Sequence, residues 1–209
     1  MAVNRLGFPQ MAPKKKKRER LDLDARREAF LVTGLAVFSA RSYDEVSIDD
    51  LAAAAGVSKG LLYHYFPTKR DFYVAALRKA ADQLLDETKN DELLDPAADL
   101  ASGLVTYLDF AKRHGPAYLA LMRGGIGSDP EVTAVIEETR ATLGARVLER
   151  MPEGTVTPLV RVAVRGWIGF VETIAIDWLT DRRIAKAEIV RLACAVLFDA
   201  VAQAGVPRP

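Results

Sequence analysis

Apolar residues recur at helical spacing along most of the chain, and nowhere do they alternate with the period of two that a strand requires. The first such run extends from about Asp24 to Ala40, and three shorter capped segments follow near 47–55, 58–65 and 69–89. Five further helical segments are predicted near 97–113, 116–123, 130–150, 157–179 and 184–204. The pattern therefore predicts an all-α fold.

Three helix starts lie close together between residues 47 and 69. Ser47, Ser58 and Thr68 stand at N-cap positions, where a hydroxyl oxygen accepts a hydrogen bond from the first turn. Gly56 separates the first two of these helices, and a tight turn at this point needs the left-handed backbone that glycine adopts easily. Two short helices joined in this way are the sequence form of a helix-turn-helix.

The second of these helices divides between an apolar interior and a polar outer face. The predicted interior comprises Leu51, Ala54, Val57, Leu62 and Phe66. The outer face comprises Lys59, Gly60, Leu61, Tyr63, His64 and Tyr65. Lysine and tyrosine are partners for phosphates, glycine lets a backbone approach base edges, and helix N-termini at the three caps attract phosphates. The segment predicts an interface with double-stranded DNA, although taken alone the two tyrosines would suit a protein core equally well.

Charge is concentrated at the same end of the chain. Residues 1–70 carry thirteen Lys and Arg against eight Asp and Glu, although the whole chain has a net charge of only +1. Residues 1–20 are predicted to form a disordered basic arm, in which Lys14, Lys15, Lys16 and Lys17 reach DNA beside the helix-turn-helix. A solvated tail without a partner is the alternative.

The stretch from about Arg26 to Leu77, through SIDDLAAAAGVSKGLLYHYFPTKRDFYVAAL, resembles the tetracycline-repressor (TetR) family of bacterial regulators. The resemblance implies a DNA-binding domain over 21–68 and a helical ligand-binding and dimerisation domain over 69–209, connected by a linking helix. It also implies phosphate contacts at Tyr63, Tyr65 and Lys69, and a major-groove surface at Lys59, Gly60, Leu61 and His64. A cytoplasmic repressor that binds a pseudo-palindromic operator as a homodimer is the expected function.

The last two predicted helices are apolar around more of their circumference than one packing face uses. Residues expected at a two-fold dimer interface are Ile189, Leu192, Ala193, Val196, Leu197 and Ala200. An intramolecular core is the alternative for this stripe.

Aromatic residues with a few polar neighbours indicate a cavity for a small apolar or amphipathic effector. The residues expected to line it are Tyr107, Phe110, His114, Tyr118, Met122, Arg123, Trp167, Phe170 and Glu172. A carboxylate of the effector is expected to face Arg123. No cofactor or metal is expected.

Other classes of protein find less support. The chain contains two histidines and none of the HExxH, GxSxG or phosphate-loop motifs, so an enzyme is not expected. The single cysteine, Cys194, lies in an apolar run typical of a core position, and charged residues interrupt the most apolar segment, which argues against a membrane span. A helical enzyme that processes a small molecule and a ligand-insensitive DNA-binding protein remain the alternatives.

Overall fold

The computed structural model describes residues 14–89, 91, 93–123, 129–181 and 183–206, and only the backbone of 14–22. Within these ranges there are nine helices and no strand, which confirms the all-α prediction. The helices are α1 Lys14–Ala40, α2 Ile48–Ala55, α3 Lys59–Tyr65, α4 Lys69–Glu87, α5 Pro96–Arg113, α6 Gly115–Met122, α7 Pro130–Glu149, α8 Pro158–Thr180 and α9 Lys186–Gln203.

The first helix begins ten residues before the start that the apolar pattern indicates. Residues 14–20 continue α1, whereas a disordered arm was predicted there. Lys, Arg and Glu have high helix propensity, which favours continuation of the helix through the basic run. Residues 1–13, and the side chains of Lys14, Lys15, Lys16 and Lys17, lie outside what the structure describes, so their contact with DNA stays a prediction.

Two hydrophobic cores share the linking helix α4. The first joins α1, α2 and α3 to the N-terminal half of α4 as far as Ala76, and it also contains Val132 from α7. The second joins the C-terminal half of α4 to α5, α6, α8 and α9. The packing of the N-terminal unit thus extends past the boundary predicted at residue 68.

Helices α1 and α4 approach each other closely at Gly34. A Cβ atom built at this glycine would lie 2.5 Å from Cζ of Phe72, whose ring is 1% exposed. A distance that short is a steric overlap, so the crossing requires a residue without a side chain. Through this crossing, α1 of the N-terminal unit packs directly against the linking helix α4.

Candidate nucleic-acid interface and ligand cavity

The turn between α2 and α3 is formed as the sequence predicts. Gly56 has φ 66° and ψ 32°, in the left-handed region, and its N–H donates to the last carbonyls of α2. Leu51, Leu62 and Phe66 are at most 2% exposed and lock the two helices together. Ala54, predicted to be interior, is exposed instead, and Ala52 takes its place in the core.

The outer face of α3 presents polar and aromatic groups to solvent. Lys59, Gly60, Tyr63 and His64 are exposed, and Leu61 is half-buried. The space around Gly60 is open, because no atom lies within 4 Å of a Cβ built there. Four of the six residues predicted for this face are therefore exposed to an external partner.

Tyr65 is held more firmly than its neighbours. Its half-buried ring meets Phe30 of α1 edge-to-face at a centroid distance of 5.2 Å, and it also contacts the ring of His64. Such edge-to-face pairs favour a fixed orientation. The packing of Tyr65 against α1 fixes how the recognition surface sits on the domain.

Lys59 forms an ion pair with an acidic residue of the preceding helix. Its Nζ lies 2.6 Å from Oδ1 of Asp49, which belongs to the first turn of α2. Both side chains are more than half exposed, so this pair contributes little stability and its ammonium can exchange partners.

Ser47, Ser58 and Thr68 cap the N-termini of α2, α3 and α4, as the sequence predicts. Ser47 and Thr68 accept the backbone N–H of Asp50 and Asp71, whose carboxylates accept in return from the capping residues. Those carboxylates place negative charge at the N-termini of α2 and α4, which opposes a phosphate there. Ser58 likewise caps α3, where the first turn contains no acidic residue.

Lys69 lies inside the domain rather than free at its surface. Its Nζ donates to the carbonyl oxygens of Tyr43 and Val46, at 2.8 and 2.9 Å, and lies 3.9 Å from the centroid of the Tyr43 ring. This lysine joins the first turn of α4 to the loop between α1 and α2. A phosphate contact at Lys69 would therefore have to compete with two backbone carbonyls.

A cavity of about 280 Å³ lies between α5, α7, α8 and α9, next to the end of α4. Three of the nine predicted lining residues are found there, namely Tyr107, Trp167 and Glu172. The rest of the wall is mostly aliphatic, with Leu100, Leu104, Leu143, Val147, Met151, Ile168, Val171, Leu197, Val201 and Val206. Its volume is just below the range for ligand pockets, about 300–1,000 Å³.

The other six predicted residues lie outside the cavity wall. Phe110 is buried in the second core, and Met122 and Phe170 pack against that core. Arg123 donates from Nη2 to Oγ1 of Thr180 at 2.8 Å, so it does not receive a ligand carboxylate in this cavity. Tyr118 lies behind the wall, where its hydroxyl is 2.7 Å from that of Tyr107 and burial raises the pKa of both phenols. The sixth residue, His114, contacts α1 instead, through Ser39.

Apart from Glu172, the charged groups of the cavity were not singled out by the sequence analysis. Asp99 of α5, Arg146 of α7 and Arg150, the residue that caps the C-terminus of α7, line it together with Thr88. The two arginines are four residues apart and thus lie on one face of α7. This spacing was the available signal, but it does not reveal which neighbouring helix the face meets.

Helices α4 and α7 run side by side in parallel register. Arg70 donates from Nη2 to Asp129 at 2.8 Å and from Nη1 to Glu131 at 2.9 Å, at the N-terminal ends of both helices. Arg78 pairs with Glu138 midway. At the far end, Arg146 donates to Leu85 O at 2.6 Å and to Oγ1 of Thr88 at 3.3 Å. In all these contacts the two partners are about 60 residues apart in sequence, as parallel helices require. The cavity and the helix-turn-helix are therefore connected by two helices, not by α4 alone.

Arg70 also lowers the pKa of Asp129, the carboxylate that it binds. Its guanidinium holds the pKa of Asp129 below the usual range, with help from the backbone N–H groups that this N-cap residue accepts. Both partners are charged at neutral pH, so the ionic contact between α4 and α7 is present there.

His114, at the junction of α5 and α6, contacts α1. The hydroxyl of Ser39 donates to Leu35 O at 2.6 Å, so its oxygen accepts from Nδ1–H of His114, also at 2.6 Å. The other ring nitrogen, Nε2, is then unprotonated, buried and without a hydrogen-bond partner among the described residues. Burial, assisted by the charge of Arg113, lowers the pKa of His114.

A pH dependence of stability follows from this arrangement. Because the pKa of His114 is lower in the folded than in the unfolded chain, its contribution is complete above the unfolded value of about 6.5 and is lost as the pH falls through the folded value. We expect His114→Asn, whose amide can still donate to Ser39, to lose less stability than the wild type between pH 7.5 and 5, measured by urea unfolding. His64→Asn, at an exposed site, is the control, and an unchanged pH dependence in His114→Asn would contradict the assignment.

The predicted dimer residues divide between two faces of α9. Ile189, Ala193 and Leu197 are at most 6% exposed and belong to the core of the same chain, as the alternative reading of the stripe proposed. Leu192 is 48% exposed, whereas Val196 and Ala200 are half-buried. On α8, Leu159 and Val162 are 60% and 67% exposed, and the apolar pattern did not single them out.

Within the described part of the chain, no helix combines the length and the apolarity that crossing a bilayer would require.

Comparisons with known proteins agree with the fold. Residues 30–76 match the model for bacterial regulatory proteins of the tetR family, and residues 96–198 match the model for the tetracyclin repressor-like C-terminal domain.

Individual relatives match over most of their length. A crystal structure of a tetR-family transcriptional regulator from Streptomyces coelicolor is 38% identical, with a TM-score of 0.76, covering 86% of this chain and 80% of that one. The transcriptional activator FasR of Mycolicibacterium smegmatis is 27% identical over 90% of this chain and 88% of its own. The regulator EthR from the same organism is 29% identical over 57% and 56% of the two chains.

A helix-turn-helix with an exposed second helix, mounted on a helical body, is the architecture of a DNA-binding transcriptional regulator. The chain belongs to the TetR family of bacterial transcriptional regulators.

Proposed function

We propose that the protein is a dimeric repressor that releases a pseudo-palindromic operator when a small apolar or amphipathic effector fills its cavity. The observation that carries the DNA-binding part is the outer face of α3, where Lys59, Gly60, Tyr63 and His64 are exposed on a helix locked from behind by Leu62. Lys59 exchanges Asp49 for a base acceptor, and Tyr63 donates to a phosphate. Unbiased selection of bound DNA from random duplexes tests this, and failure to enrich any sequence would contradict it.

Gly60 gives the sharpest test of the reading face. Gly60→Ala meets open space in the free protein and replaces a poor helix former by a good one, so we expect unfolding to cost about 0.5–1 kcal/mol more. The same methyl group would lie between α3 and the bases, so operator affinity should fall about 5- to 150-fold. Urea unfolding and fluorescence anisotropy measure the two effects, which have opposite signs. An unchanged operator affinity would show that the DNA does not approach α3 at this residue.

The dimer is proposed to form through the outer faces of α8 and α9. Leu159, Val162 and Leu192 place exposed apolar side chains there, and a second copy would cover them in a four-helix arrangement. We expect the double variant Val162→Glu and Leu192→Glu to sediment as a monomer at micromolar concentration, where the wild type is a dimer. Leu93→Glu, at a side chain that is 95% exposed between α4 and α5, is the control and should keep the dimer. A dimer that persists in the double variant would place the interface elsewhere.

The release mechanism is proposed to use both helices that leave the cavity. An effector that moves the C-terminal half of α7 acts on α4 through Arg146 and, at the other end, on the first turn of α4 through Arg70. A shift of these helices changes the separation of the two recognition helices, which must match half-sites about 34–36 Å apart. The effect on affinity is limited to the difference in effector binding between the two conformations.

An activator is the second candidate, because the relative FasR, which matches nearly the whole chain, is described as a transcriptional activator. The two functions share the DNA-binding face and differ in where the operator lies relative to the promoter. A reporter gene under the selected operator distinguishes them: removing the regulator raises expression for a repressor and lowers it for an activator.

A further inference from the structure

Charge in the cavity wall is distributed unevenly. The charged residues that line it are Asp99, Arg146, Arg150 and Glu172. Glu172 is occupied by Arg140, which donates Nε and Nη2 to its two carboxylate oxygens at 2.8 and 2.7 Å. At the other end of the wall, where α7 finishes, two guanidinium groups accompany a single carboxylate.

Arg150 retains hydrogen-bonding capacity at that end. Its Nη2 donates to Leu94 O at 2.6 Å, and this is the one hydrogen bond of its side chain among the described residues. Its Nε is buried without a partner, and at 3.4 Å from Oδ2 of Asp99 it is an ionic neighbour that forms no hydrogen bond. A guanidinium has five N–H donors in a planar fork that matches a carboxylate or phosphate, so donors remain for an anion.

Both carboxylate oxygens of Asp99 already have partners. It is 8% exposed, and its Oδ1 accepts the backbone N–H of Asp91 at 2.8 Å while Oδ2 faces Arg150. An ammonium group of a ligand would therefore meet two guanidinium groups around a carboxylate that has partners. An anionic group would meet Nε of Arg150, which is buried and has no hydrogen-bond partner among the described residues.

We propose that the cavity binds a ligand with an extended apolar body and one anionic group, and that Arg150 receives the anion. The proposal rests on the proposed function, in which this cavity is the effector site, and it specifies the chemistry of the effector. The aliphatic wall contacts the body, and the polar end near Thr88 contacts the head. Arg146, one turn before Arg150, holds the end of α4, so an anion beside these side chains competes for the contact that joins α7 to α4.

Three probes with the same tail and different heads test the ligand class on the full chain. Octanoate, 1-octanol and octylamine carry an anionic, a neutral and a cationic head, and isothermal titration calorimetry measures their affinities. We expect octanoate to bind about 10- to 100-fold more tightly than 1-octanol, as one charge-assisted contact provides, and octylamine to bind most weakly. Equal affinity for octanoate and 1-octanol, tighter binding of octylamine, or no binding of any probe would overturn the proposal.

A pair of variants assigns the anion to its residue. Arg150→Gln should bind octanoate no better than 1-octanol, whereas Arg161→Gln, at an exposed site on α8 outside the cavity wall, should bind it as the wild type does. An unchanged preference for octanoate in Arg150→Gln would remove Arg150 from the site. If that variant does not fold, the comparison of the three probes on the wild type still decides the ligand class. Operator binding without any probe is measured on the same samples, and its absence would contradict the proposed function and not the ligand class.

Discussion

Replacing Leu62 with alanine is expected to lower the free energy of unfolding by about 2–5 kcal/mol, because the side chain is fully buried between α2, α3 and the helices behind them. The neighbouring leucine provides a matched control. Leu61 is half-buried on the outer face, so Leu61→Ala should change stability by roughly 1 kcal/mol or less. Urea unfolding of both variants measures the difference.

Leu61→Ala and Leu62→Ala should also differ in their effect on DNA binding. Leu61→Ala leaves the fold intact and removes an apolar contact to a thymine methyl, so operator affinity should fall in the folded protein. Leu62→Ala should lose affinity only in proportion to its unfolded fraction. Equal losses of stability in the two variants would mean that the register of α3 differs from the one described.

Gly34→Ala is expected to destabilise the protein by about 1–3 kcal/mol, since the added methyl group overlaps the buried ring of Phe72. The higher helix propensity of alanine offsets part of this loss, by about 1 kcal/mol. Gly60→Ala makes the same substitution in a helix with open space around it and should have the opposite sign. Thermal unfolding of the two variants side by side provides the measurement. A stability gain in Gly34→Ala would show that α1 and α4 separate at no cost.

The helix-turn-helix could be predicted from the sequence because its determinants are local. Ser47, Gly56, Ser58 and Thr68 act within four residues of their own position, so a cap or turn that is predicted from sequence spacing is also found in space. Family resemblance added the direction in which the recognition surface faces. It did not indicate that Lys69 is bound to loop carbonyls, because those carbonyls lie 23 and 26 residues away.

The cavity and the dimer surface could be predicted only in outline, since both depend on which helix faces meet. Tyr107 and Phe110 are both buried aromatic residues on α5, yet only the first lines the cavity. On α9, Leu192 and Ala193 are adjacent members of one apolar stripe, but only the alanine faces the core. Periodicity identifies buried positions without naming the surface that covers them.

Val132 makes the N-terminal unit dependent on a residue that is synthesised much later. This valine of α7 is 0% exposed inside the core of the helix-turn-helix and α4, 56 residues after Ala76, the last α4 residue of that core. A fragment that stops after α4 would lack this side chain and leave its neighbours open to water. On the ribosome, the core of the DNA-binding end therefore cannot be completed until α7 has emerged, so that folding of this unit is coupled to synthesis of the C-terminal domain.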